Sequence, residues 1–298
     1  MKARHYWAYL QERFPVVNMA LFAILFLTVQ SVAAFYAPVQ LHDPPLGGWE
    51  VLGALAVISF FFRLRVFDEI KDYALDAYNH PHRVLQSGRV TLKGLRRVSL
   101  AGGVLEVLWS AHMGLPALVL WGVAVGYSLL MRYEFFVSDY LKKRLLLYAF
   151  THMLIMPLVI WWIWSAYAYW YVLRGPLAVL ALLSLLGGFS FEIARKIHAP
   201  GAERERVDSY SKSMGYAPAI LTVLALLLAG VLEQGYLLYL LGAGWWPYLV
   251  VGGLYGLTGG VYGLALARPR EKNLKLAELL VSLFMLVSYV SIILHLNF

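Results

Sequence analysis

The chain contains no cysteine, which removes disulfides, thiolate metal sites and a cysteine nucleophile from consideration. It is also poor in charge: 14% of its 298 residues are Asp, Glu, Lys or Arg, against 61% hydrophobic. With a mean hydropathy of +0.66, so much apolar surface cannot be enclosed in one soluble core, and an all-α polytopic membrane bundle is the class the composition implies. Low-complexity linkers are missing, and no polar segment is long enough to fold alone. Residues 1–298 are therefore expected to form a single domain. The first apolar run is too long for a secretory signal core and is expected to remain as a helix.

Apolar runs near the length needed to cross a bilayer, about 20 residues, fall near 16–37, 47–66, 98–113, 115–131, 145–167, 175–195, 216–241, 245–267 and 275–296. The third and fourth are short and closely joined, so one of them could be re-entrant. Threading nine spans alternately puts every Lys and Arg of the chain's 25 on one side, except Arg174. By the positive-inside rule that side is cytoplasmic, as is the N-terminus. The net charge of +8 is then a record of topology, and nucleic acid is not an expected partner. Membrane lipid is.

The few acids are concentrated. Residues 65–89 read RVFDEIKDYALDAYNHPHRVLQSGR, with Asp68, Asp72 and Asp76 four apart and Glu69 three before Asp72. A helix continued from the preceding apolar run would carry all four on one stripe. Carboxylates stacked in that way repel one another unless a cation lies between them, and Mg²⁺ suits hard oxygen donors that also face phosphate. Arg65, Lys71 and Arg83 could reach the same phosphates.

This stretch resembles the first aspartate-rich motif of the UbiA-type intramembrane prenyltransferases, N-D-x-x-D-x-x-x-D followed by N-x-P-x-R-P-L-x-S-G-R. The matching residues are Asp68, Glu69, Asp72 and Asp76, then Asn79, Pro81, Arg83, Leu85, Ser87, Gly88 and Arg89. Asp68 replaces the usual Asn and Glu69 the usual Asp, so oxygen donors are kept at both positions. The resemblance implies a single UbiA-like domain over 1–298, with a cytoplasmic polar cap built from the loops after the second and sixth spans.

It also implies a second acidic motif after the sixth span. Glu192 aligns with its first acid, while Arg195 and Lys196 stand where further acids would come. These two cations would either neutralise a departing diphosphate or hold an anionic acceptor; otherwise they pair with Glu203, Glu205 or Asp208 at the membrane surface. Lys142, beside Lys143 and Arg144, matches a basic pair that contacts diphosphate in the family, although positive-inside anchoring explains these residues equally well. The implied activity is Mg²⁺-dependent transfer of a prenyl group from an isoprenoid diphosphate to a lipophilic or membrane-surface acceptor. Asp68, Asp72, Asp76 and Glu192 would hold metal, Glu69 would be a further ligand or base, and Arg65, Lys71, Arg83, Lys142, Arg195 and Lys196 would lie on phosphate oxygens. The alternatives are a phosphoribosyl or other diphosphate donor, a membrane terpene cyclase, and a non-enzymatic transporter.

Elsewhere, Glu106 and Glu278 lie in or near apolar runs, where an ionisable group is a functional candidate. His112 and His152 read as hydrogen-bonded core histidines, and His80 and His82 as shaping the turn at Pro81. Trp161, Trp162, Trp164, Tyr167, Tyr169, Trp170 and Tyr171 read as an interfacial aromatic belt.

Overall fold

A computed structural model describes residues 3–37, 47–168, 175–203 and 208–297. Tyr169, Trp170, Tyr171, Arg174 and Glu205 lie outside the described residues. Within them the chain is helical, with no strand. The helices are α1 (Ala3–Arg13), α2 (Val16–Tyr36), α3 (Gly48–Lys71), α4 (Tyr73–Asn79), α5 (Leu92–Met113), α6 (Leu115–Arg132), α7 (Ser138–Lys142), α8 (Leu145–Met153), α9 (Ile155–Tyr167), α10 (Gly175–Ala194), α11 (Tyr210–Met214), α12 (Tyr216–Leu240), α13 (Trp246–Ala267) and α14 (Glu271–Asn297).

Seven of the helical stretches are long and apolar enough to cross a membrane: α2, α6, the α8–α9 pair, α10, α12, α13 and α14. Helices α3 and α5 have the length, 24 and 22 residues, but carry charges at their polar ends. Local signals set the boundaries. Thr91 caps α5 by accepting from the Gly94 amide at 3.1 Å, as a side-chain oxygen at an N-cap does. Between α5 and α6 the chain reverses through Gly114 alone, at φ +116°, a conformation a side chain would oppose. Both short apolar runs thus form separate helices packed on each other.

The core has two parts. Trp109, Trp162, Phe26 and Phe60 centre one among α2, α3, α5, α6 and α9; Tyr210, Tyr262 and Phe284 centre the other among α10–α14. Helix α10 packs against α9, α12, α14 and α2 and joins the two. The aromatic-belt expectation is corrected here. Trp162 and Trp164 are fully buried, and each indole N–H has an internal acceptor: Trp162 donates to Ser110 Oγ at 2.9 Å and Trp164 to the Ala168 carbonyl at 3.1 Å. A buried indole is tolerated when its N–H finds such a partner.

Glu106 is also internal. It is fully buried, lies 2.7 Å from Arg63 Nη2, and accepts from Ser59 Oγ at 3.0 Å and Trp121 Nε1 at 2.9 Å. It is a satisfied counter-ion that ties α3, α5 and α6 together. Glu278 pairs with Lys275 at 2.8 Å near the start of α14. His112 is exposed and stacks on Trp49, with ring centroids 3.5 Å apart, rather than sitting in the core.

Candidate active site

Helix α3 does not run on through Asp76. It stops at Lys71, Asp72 takes φ −94° and ψ 5°, and the short α4 begins at Tyr73. The four acids lie in two environments.

Asp68 and Asp72 face a cavity of about 420 Å³ enclosed by α3, α6, α8, α9 and the end of α10. Lys71, Glu192, Arg195 and Lys196 line the same cavity, over a floor that includes Phe61, Leu64, Met131, Met153 and Met156. Asp72 and Glu192, 120 positions apart in sequence, thus share one polar chamber. The Asp68 side chain is 52% exposed and 3.8 Å from Lys71 Nζ. Among the described residues no ion pair engages Asp72. Burial pushes the Asp72 carboxyl above the usual range; Lys71 opposes this, and Asp68, Asp76 and Glu134 add to it.

Glu69 and Asp76 turn away, towards α1. Arg13 donates from Nε to Glu69 at 2.7 Å and from Nη2 to Asp76 at 3.3 Å. Arg65 also donates to Glu69, from Nη2 at 2.7 Å, and Arg83 pairs with Asp76 at 2.7 Å. The single stripe of four carboxylates expected from an unbroken helix is therefore corrected to two and two. Arg83, expected on phosphate, is spent on Asp76. Arg65 lines the cavity but is held by Glu69.

The second half of the first motif is structural. Gly88, at φ +76°, closes a knot in which Ser87 Oγ donates to the Val84 carbonyl and Arg89 Nε to Ser87 Oγ. Val84, Leu85 and Val90 are buried, and the Val84 amide donates to Glu12 Oε2 at 3.0 Å. The His80 carbonyl accepts from the Arg83 amide at 3.1 Å within this turn.

The other wall belongs to α10. Glu192, 8% exposed, accepts from Arg195 Nε at 2.6 Å and lies 2.8 Å from Lys196 Nζ. Both cations therefore point to the cavity's own carboxylate. Among the described residues neither pairs with Glu203 or Asp208; Glu203 instead accepts from Ser209 and Ser211. The loop after α10 is further fixed where the Ala199 amide donates to Glu271 at 3.0 Å and His198 Nδ1 lies 2.9 Å from the same carboxylate.

Lys142 does not line the cavity. It is 61% exposed and sits 3.2 Å from Glu134, which also lies 3.7 Å from Lys71. Glu134 is buried and opens a run of three left-handed residues, Glu134, Phe135 and Phe136, at φ 50°, 53° and 60°. Left-handed backbone costs roughly 1–2 kcal/mol for each residue with a side chain. Arg13, Glu134, Tyr148, Arg132 and His152 are site residues that sequence reasoning did not single out for it. An acid inside the basic segment 132–144 was the available signal for Glu134; the rest had none. Lys71 donates to Tyr148 Oη at 3.0 Å, and Tyr148 stacks on His152 at 4.1 Å. His152 Nδ1 lies 2.8 Å from the Tyr148 carbonyl, which can only accept. The proton is thereby fixed on Nδ1, and Nε2 is buried without a partner among the described residues.

Among the described residues no three His, Asp or Glu side chains gather closely enough to hold an ion unaided. The chamber's three carboxylates, Asp68, Asp72 and Glu192, nevertheless fit Mg²⁺, which keeps waters and usually takes one or two carboxylates together with phosphate oxygens.

Three solved structures share the fold. One, described as digeranylgeranylglyceryl phosphate synthase, has a TM-score of 0.68 at 18% identity, covering 98% of this chain and 99% of the other. An apo UbiA homologue from Aeropyrum pernix K1 gives 0.67 at 20% identity, covering 92% and 96%. A UbiA homologue from Archaeoglobus fulgidus, bound to GPP and Mg²⁺, gives 0.50 at 14% identity, covering 96% and 99%. No curated protein sequence matches significantly. The model of the UbiA prenyltransferase family matches residues 24–288, nearly the whole chain, and the protein belongs to that family.

Proposed function

We propose that the protein transfers a prenyl group from an isoprenoid diphosphate to a lipophilic or membrane-surface acceptor, with Mg²⁺ as cofactor. The observation that carries this reading is the cavity itself: Asp68 and Asp72 face Lys71, Arg195 and Lys196 over an apolar floor. A diphosphate head needs the first set and a hydrocarbon tail the second. A phosphoribosyl donor would lay a polar sugar on Phe61, Leu64 and Met156, which disfavours that alternative. A transporter would favour ionisable groups at the midplane; Asp68, Asp72, Glu192, Arg195 and Lys196 instead lie at helix ends. The GPP and Mg²⁺ bound by the Archaeoglobus fulgidus homologue fit the same donor class.

Asp68 and Asp72 would hold the metal, which when bound withdraws charge from the leaving diphosphate. Lys71 lies between the two aspartates in sequence and is positioned by Tyr148 and Glu134 to meet phosphate. Glu192 keeps Arg195 and Lys196 at the cavity until a diphosphate competes for them; guanidinium and ammonium then neutralise the charge that grows as the allylic bond ionises. Glu69 and Asp76 act one step back, holding Arg13, Arg65 and Arg83 and so the geometry of the break at Asp72. The apolar floor excludes water from the cationic prenyl fragment.

The chain would form one domain over 1–298. Helices α3 and α5 would complete nine crossings, with the N-terminus and the polar cap cytoplasmic. The test is diphosphate release by the purified protein with prenyl donors of several lengths and with phosphoribosyl diphosphate, with and without Mg²⁺. Release from prenyl donors only, dependent on Mg²⁺ and lost in Asp72→Ala, is expected. No release from any donor, or release unaffected by that substitution, would overturn the reading.

A further inference from the structure

Arg63 lies on α3 nine residues before Asp72, about 13 Å back along the helix, and is 8% exposed. Its partner Glu106 is saturated by Ser59 and Trp121 as well as by the ion pair. Arg63 spends Nη2 on that ion pair at 2.7 Å and lies over the Phe60 ring at 4.8 Å, while Nη1 is the guanidinium nitrogen nearest Gly103. A buried guanidinium carries five donors and is costly to leave unmatched.

Beside it a second cavity, of about 350 Å³, opens between α3, α5 and α6. Arg63, Arg96, Arg132 and Ser99 line it, with Val66, Ile70 and Leu100 as its apolar part, and no carboxylate among the described residues does. Gly103 lies at its wall, where a Cβ would stand 3.4 Å from Arg63 Nη1. Arg132, held over the ring of Phe67 at 5.1 Å, is part of the wall shared with the diphosphate cavity. With Glu106 neutralising one of the three arginines, about two positive charges remain. That balance suits a phosphate monoester, whose oxygens take guanidinium donors in pairs. Basic pockets between membrane helices on the cytoplasmic side take lipid phosphates for the same reason.

We propose that this cavity binds the phosphate headgroup of an anionic membrane lipid, with the phosphate on Arg63, Arg96 and Arg132 and the chains leaving past Leu100 into the bilayer. The site adjoins the donor cavity and shares Arg132 and Phe67 with it, but no acid among the described residues lines it to hold a metal.

The experiment uses the purified full chain in uncharged detergent, titrated with dioctanoyl phosphatidic acid, dioctanoylglycerol and inorganic phosphate, with bound ligand counted by native mass spectrometry. One phosphatidic acid per chain is expected, bound at least tenfold more tightly than the uncharged diglyceride. Arg96→Gln, which removes an exposed side chain, should weaken it about tenfold, and Gly103→Leu should abolish it by filling the cavity. Asp72→Asn should leave it unchanged, which separates this site from the donor site. Equal affinity in wild type and Arg96→Gln would overturn the proposal, as would equal binding of the diglyceride. Competition by inorganic phosphate at the same concentration as the lipid would assign a free-anion site instead, and also overturn it.

Discussion

Arg13 Nε lies 2.7 Å from Glu69 Oε1, a bond between the first helix of the chain and the first acidic motif. Through it and the longer contact to Asp76 at 3.3 Å, α1 holds the two carboxylates that the cavity does not use. Arg13→Ala should therefore leave Glu69 to Arg65 alone and Asp76 to Arg83 alone, and cost about 1 kcal/mol, the loss of one shared set of hydrogen bonds, read as a lower melting temperature in detergent. The loss of diphosphate release should be smaller than in Asp72→Ala. An unchanged melting temperature would refute the holding role.

Arg195 and Lys196 are held at the cavity by Glu192. Changing both to Gln should weaken donor binding on the order of 100-fold, the loss of two charge-assisted contacts, and should also lower the melting temperature, because buried Glu192 loses both cations. A donor affinity equal to wild type would show that the two cations only anchor the membrane surface.

The acidity of Asp72 gives a pH dependence. Burial, aided by Asp68, Asp76 and Glu134 against Lys71, raises its folded pKa. Its contribution to folding stability is therefore full below the unfolded value of about 3.9 and is lost as pH rises through the folded value. A divalent cation relieves that loss, so the rise in melting temperature on adding Mg²⁺ should be near zero at low pH and grow towards neutrality. A Mg²⁺ effect that is flat across that range would contradict the assignment.

Phe136 sits at φ 60° with 75% of its surface exposed, and its only described ring contact is with Tyr133 at 5.6 Å. Phe136→Gly removes the left-handed penalty while giving up little packing, and should stabilise the protein by about 1 kcal/mol. The same substitution at Phe135, whose ring packs on Tyr127 and His152, should not. Melting temperatures of the two variants check this.

The sequence reading found the right neighbourhoods and misjudged some facings. Asp68 and Asp72, and Glu192 with Arg195 and Lys196, were legible because each set lies within one or two turns of helix, where spacing dictates direction. Asp76 turned away because the helix breaks at Asp72, and Glu69 because it lies about 100° round the helix from Asp68 and its partner Arg13 is 56 positions before it. Lys142 was drawn to phosphate by analogy, whereas a left-handed turn without a glycine to announce it brings Glu134 to the lysine. Trp162 and Trp164 looked interfacial since their burial depends on acceptors, Ser110 Oγ and the Ala168 carbonyl, that local composition does not reveal. The nine apolar runs coincide with nine long helical stretches, of which seven meet the requirement for crossing by length and composition.

The central claim is that Asp68 and Asp72, and not Glu69 or Asp76, bring a divalent ion to a prenyl diphosphate. Equilibrium binding of farnesyl thiodiphosphate, a slowly reacting donor, measured with and without Mg²⁺ in wild type, Asp72→Asn and Glu69→Gln, tests it most directly. The account predicts Mg²⁺-strengthened binding in wild type that survives Glu69→Gln and is lost in Asp72→Asn. Mg²⁺-independent binding in wild type, or loss in Glu69→Gln with retention in Asp72→Asn, would contradict it.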